Sequence, residues 1–269
     1  PLCTPTLPPI LYLQIAFGRR RARCNCLSIH NLQRTPEINR TFLWSLAPNH
    51  ATMPPMKTAS LYQKSLRVPK FGSTLKRGSN NKKLGFKITS PKWKGKRLYS
   101  LTLEERTTCP TSCHHWDDCY GNNMPFAHRF TTKNIDLILE REIESLIEKH
   151  PEGIVIRLHV LGDFFDLEYV NFWEEMLLKH PKLCLFGYTA REHDEYIGKA
   201  LMLLNTRFSD RCVIRSSRNN ESNSYWSYAA EESFEGDSFV CPEQTGKLKN
   251  CASCGLCWSV PKTVRFLSH

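Results

Sequence analysis

The chain has 269 residues, 41% of them apolar, and a formal net charge of +11 at pH 7. That length and apolar content suffice for one large core or two small ones, and they exclude a disordered polymer and a small disulfide scaffold. The best apolar run, Ile10 to Phe17, is too short to span a membrane and is followed, not preceded, by the basic run Arg19 to Arg23, so neither a span nor a signal peptide is predicted and a cytoplasmic protein is expected.

Residues 1–55 hold many prolines and little periodicity, and the first methionines are Met53 and Met56. They are expected to be a disordered arm or upstream sequence that is not native, with folding starting near Lys57. Charge divides the rest. Residues 56–110 carry 14 basic and 2 acidic side chains, whereas residues 111–269 carry 17 and 23. A basic N-terminal segment, 56–97, is thus set apart. Its Lys/Arg-rich part, 64–97, has Phe71, Phe86 and Trp93 interleaved among lysines such as Lys82, Lys83 and Lys87. Such a pattern suits a nucleic-acid or nucleotide partner, and equally a solvated basic face.

From Leu98 the pattern becomes regular. Leu98 to Leu103 alternates as a short strand, and Ile135, Ile138, Leu139, Ile143, Leu146 and Ile147 recur at helical spacing until His150, Pro151 and Gly153. Ile154 to Val160 reads as a strand, Asp166 can cap a helix carrying Val170, Trp173, Met176 and Leu177, and Leu183 to Thr189 returns as a strand. Thr189 and Glu192 make a capping-box signature before Ile197, Ala200, Leu201 and Leu204, and Cys212 to Ser216 is the next strand. Strand starts at Ile154, Leu183 and Cys212 are equally spaced, at the length of one strand-helix crossover. The predicted fold class is α/β, a parallel sheet or partial (βα) barrel over 98–240, followed by a small cysteine-rich metal-binding segment over 241–269. In such sheets ligands bind beyond the carboxyl ends of the strands.

On the strand from Ile154, alternation puts Arg157, His159 and Asp163 on one side if the extended conformation continues that far. Polar groups on a covered parallel strand point to a lined cavity with Asp163 at its mouth, or to an internal salt bridge of Arg157 with a carboxylate.

Seven of the 12 cysteines form two groups. Cys109, Cys113 and Cys119 are one thiolate short of a closed site. They suit a 4Fe-4S cluster with one iron open to a substrate, or a structural zinc site closed by His114 or His115. Cys241, Cys251, Cys254 and Cys257 supply four thiolates and suit an iron-sulfur cluster or zinc. Cys184 and Cys212 lie in apolar strand segments and read as small buried hydrophobes.

Several segments resemble the gene product 88 family of phages and mobile elements: Asn81 to Gly85, Thr108 to Tyr120, Arg157 to Phe164, Tyr188-Thr189 and Cys241 to Trp258. The resemblance covers 80–269 and implies an origin rather than a mechanism. A looser likeness is to radical S-adenosylmethionine enzymes, which place three cluster cysteines after the first strand of a partial barrel and a Gly-Gly-Glu-like turn after the second. Leu161-Gly162-Asp163 occupies that turn here, although Cys119 falls three residues later than the family spacing. This likeness implies S-adenosylmethionine held by Gly162 and Asp163, Arg157 or His159 near the substrate, a reductant partner, and an auxiliary cluster at Cys241 to Cys257. A non-catalytic, zinc-stabilised nucleic-acid-binding protein is the alternative.

Overall fold

The computed structural model describes residues 60–193, 195–217, 226–229 and 237–267. All of them lie within the compact unit Pro54–His269, and the expectation for residues 1–55 lies outside the described residues.

Two short strands, β1 (Leu66–Arg67) and β4 (Arg129–Phe130), pair in parallel. The main sheet contains β2 (Lys76–Arg77), β3 (Arg97–Ser100), β5 (Ile154–Leu158), β6 (Leu183–Thr189), β7 (Cys212–Ser217), β8 (Trp226–Ala229), β9 (Ser238–Val240) and β10 (Thr263–Phe266). Its spatial order is β2-β3-β5-β6-β7-β8-β10-β9; β2 is antiparallel to β3 and every other pairing is parallel. The fold is therefore mixed α/β with a largely parallel sheet, and the sheet is open, with β2 and β9 at its edges rather than closed into a barrel.

From β3 to β8 the spatial order follows the chain. Right-handed crossovers in such an order put successive helices on one face of the sheet. The helices α2 (Ile135–Lys149), α3 (Leu167–Lys179) and α4 (Tyr196–Arg207) do share one core, in which Leu139, Ile143, Trp173, Leu177, Leu201 and Leu204 pack on Ile154, Ile156, Leu158, Leu183, Leu185 and Ile214. The alternate strand residues Leu98, Val155, Cys184, Phe186 and Val213 face the other way and are covered by Leu84, Ile88, Ala252 and Trp258 from the two ends of the unit. Strands β5–β7 are largely apolar on both faces because each face has its own cover, with Arg157 and Arg215 as charged exceptions.

Asp166 caps α3 as its position predicts, its Oδ1 accepting from the Tyr169 amide at 2.7 Å. The capping box predicted for α4 does not form. Thr189 is still inside β6, its hydroxyl donates to Asp163, and the N-cap of α4 is Glu195 without a side-chain cap. Strands β8, β9 and β10 are too short, three or four residues each, to declare a period.

Candidate metal centre

Both cysteine groups sit where a parallel sheet puts its chemistry. The short helix α1 (Glu105–Thr108) follows β3 and ends at Cys109, so the loop carrying Cys109, Cys113 and Cys119 leaves the carboxyl end of the first parallel strand. Cys241 follows the carboxyl end of β9. Cys251, Cys254 and Cys257 lie on the helices α5 (Cys251–Cys254) and α6 (Leu256–Ser259), against the sheet face that Trp258 covers.

The first loop is held by charges that sequence reading missed. Arg129, fully buried, pairs its Nε with Glu105 at 2.9 Å and donates to the carbonyls of Met124, Ala127 and Gly121. Arg106 donates to the Trp116 carbonyl and lies over the Trp116 ring, 4.8 Å from its centroid. Cys109, Cys113 and Cys119 line one pocket together with Glu105, Arg106, His115 and Trp116. His114 is exposed, and His115 turns its Nδ1 to Asp118 at 3.3 Å. Burial pushes the Cys109 thiol well up, helped by Asp163 and the other two cysteines, and burial also raises Cys113 and Cys119.

In the second group, burial pushes Cys251 up to about 12, and Cys257, Cys241 and Cys254 are near enough to raise it further. Cys254 and Cys257 are raised by burial too, and each is influenced by Cys241. Tyr188 hydrogen-bonds Cys257 through its hydroxyl. Arg215, fully buried, donates to the carbonyls of Cys257, Val260 and Lys262 and so ties α6 and the strand after it to β7.

Among the described residues no three His, Cys, Asp or Glu side chains are grouped so as to hold one metal ion. A single zinc needs its sulfurs about 2.3 Å from a common centre. A polynuclear iron-sulfur cluster gives each thiolate its own iron and tolerates a wider ring of sulfurs. Clustered, soft donors that raise one another's pKa hold protons until a cation displaces them. Cys109, Cys113 and Cys119 thus make one set of neighbouring soft donors, and Cys241, Cys251, Cys254 and Cys257 make another.

The remaining predicted site residues separate. The strand ends at Leu158, so alternation does not carry on to His159, and His159 packs on the helix side instead: its Nε2 meets the Tyr169 hydroxyl at 3.1 Å and its ring sits edge-on to Phe164 at 4.9 Å. This corrects the expectation that it shares a side with Arg157. Burial lowers its pKa to about 3, aided by the charge of Arg157, so the ring is neutral near pH 7. Arg157 lies on the opposite face, its guanidinium 5.3 Å from the Tyr188 ring centroid and close enough to Tyr120, Cys251 and Cys257 to feel their charge. No carboxylate pairs with it among the described residues, so the internal salt bridge is not what holds it.

Gly162 turns with φ +84°, and an added Cβ there would lie 2.6 Å from the Leu103 Cβ and 2.7 Å from the Thr108 hydroxyl. Only glycine lets the turn after β5 close against α1. Next to it the Asp163 carboxylate accepts from Phe164 N, Thr189 Oγ1 and Ala190 N at 2.7–2.8 Å, and Arg191 links the same loops through the carbonyls of Phe164 and Thr108. Burial raises Asp163 to about 6 against the pull of those hydrogen bonds.

The family model for gene product 88 matches residues 73–260, which takes in both cysteine groups, the Gly162-Asp163 turn and the covered sheet. The chain belongs to the gene product 88 family. No curated protein and no solved structure matches it. No helix among the described residues is long and apolar enough to cross a membrane.

Proposed function

We propose that this member of the family is an iron-sulfur enzyme of the radical S-adenosylmethionine type, of phage or mobile-element origin, acting on a nucleotide or nucleic-acid-related substrate. The observation that carries the reading is topological. Three cysteines leave the first parallel strand of a sheet wound in chain order, and the next strand ends in a glycine-acid turn at the same edge. From β3 to β8 the strands follow chain order, as in a (βα) barrel and unlike the reversal at the crevice of a doubly wound sheet, and this supports the reading. Cys109, Cys113 and Cys119 would hold a cluster with one open iron, which when reduced would supply reductive cleavage of S-adenosylmethionine.

The chain's own residues supply the surroundings. Asp163 uses three of its four acceptor positions on the protein, which leaves one on Oδ2 for an ammonium group. His159, neutral and packed among aromatics, braces the turn from the helix side instead of moving protons. Reconstituted protein, reduced and given S-adenosylmethionine, should release 5′-deoxyadenosine and methionine. Verified, reducible iron with no 5′-deoxyadenosine would sink the reading.

A zinc-stabilised nucleic-acid-binding protein is the second reading, and one observation favours it. The basic segment is clamped to the cysteine segment, Cys251 N donating to the Lys83 carbonyl at 2.8 Å, while the side chains of Lys82, Lys83 and Lys87 are exposed. Other members of the basic run are spent on packing: Arg77 and Arg97 lie over Phe86, and Trp93 stacks on Trp258. Colourless protein that holds zinc and shifts a labelled oligonucleotide would support this second reading.

A further inference from the structure

Each cysteine group has a guanidinium beside it that the protein leaves without a counter-ion. Arg106 is 5% exposed and lines the pocket of Cys109, Cys113 and Cys119; its Nε and Nη2 are buried without a hydrogen-bond partner among the described residues. Arg157 stands on β5 beside Phe186 of β6, on the face where Phe186 meets Trp258 of the cysteine segment at 4.6 Å. Arg157 is half-buried, and its Nε is buried without a hydrogen-bond partner among the described residues. Arg129 shows the usual solution a few residues away, a buried arginine matched by a buried carboxylate. A buried cation without an anion is costly enough that folded proteins avoid it.

Thiolates bound to metal provide the missing charge. A doubly positive centre carries one net negative charge when three thiolates hold it and two when four do, whether it is zinc or a cubane. Arg106 faces the three-thiol set. Arg157 lies near Tyr120 and near Cys251 and Cys257 of the four-thiol set, and at Cys257 it shares the role with Arg215.

We propose that Arg106 and Arg157 are dedicated counter-charges, one for each metal-thiolate centre, which keep the two anions inside the protein and set how tightly each is held. Both are positioning residues that act through the thiolates. The inference rests on the reading that both cysteine groups hold metal, and it is indifferent to which metal.

The test uses full-length protein loaded anaerobically and challenged with a graded chelator, following metal release by absorbance and metal analysis. Serine at Cys109 or at Cys254 assigns the signal of each centre. R106Q should lower retention by the first centre roughly 10- to 100-fold with the second unchanged, and R157Q should do the reverse, the range expected for residues just outside a ligand set. With iron bound, each substitution should also move the reduction potential of its own centre to more negative values. R106K and R157K keep the charge in a different shape and should restore most of the retention. Retention within twofold of wild type in folded R106Q and R157Q overturns the proposal, as does a lysine variant as weak as the glutamine one. If a glutamine variant does not fold, its lysine counterpart decides: retention close to wild type supports the proposal, and a loss of about tenfold or more overturns it. Wild-type protein that binds no metal at either group fails at an earlier step, and the failure then belongs to the metal reading itself.

Discussion

Replacing Arg129 by methionine probes how the first cysteine loop is held. The guanidinium is fully buried, its carboxylate partner Glu105 is 3% exposed, and three backbone carbonyls of the 121–127 stretch depend on it. Removing one partner of such a pair leaves a buried charge uncompensated and costs about 3–5 kcal/mol. In a unit of this size that is a fall in Tm of about 6–20 °C. Urea and thermal melts of wild type and R129M measure it, and metal analysis should show the Cys109-Cys113-Cys119 centre weakened while the Cys241–Cys257 centre is retained. Adding E105Q to R129M removes the stranded charge and should recover a large part of the loss. A change below about 1 kcal/mol, the scale of an exposed pair, would refute the reasoning.

Other outcomes follow from single side chains. Trp258→Ala removes a fully buried ring packed on Phe186 and Trp93, and should cost about 3–5 kcal/mol while loosening metal at Cys251, Cys254 and Cys257. Asp163 has its folded pKa raised to about 6 by burial, so the folded state keeps a proton that the unfolded chain releases between about pH 4 and 6; its contribution to stability falls as pH rises through that window and is absent in D163N. His159 has its pKa lowered to about 3, so its contribution runs the opposite way, present above about 6.5 and lost as pH falls; its imidazole should show no titration by NMR between pH 5 and 8.

What could be read in the sequence and what could not has a physical pattern. The starts of β5, β6 and β7 at Ile154, Leu183 and Cys212 were legible because each strand is a continuous apolar run bounded by helix signals. The clustering of thiols and the Gly162-Asp163 turn were legible because spacing alone brings those residues to one sheet edge. His159 was misplaced because alternation holds only within a strand, and β5 ends one residue before it. Thr189 does not act as a cap because its hydroxyl finds Asp163, a partner distant in sequence that only the fold brings near. Arg106, Arg129 and Arg215 gave no signal, since a buried arginine and a surface arginine look alike until the fold closes over them.

The proposed function requires two separate metal-thiolate centres on one sheet scaffold. Iron and acid-labile sulfide, measured per chain on anaerobically purified protein, test it most directly in wild type, in Cys109→Ser and in Cys254→Ser. Wild type should be brown with two clusters' worth of iron and sulfide, and either variant should hold about half of each. Iron and sulfide that stay at wild-type level in both variants, or a colourless protein without metal, would contradict it.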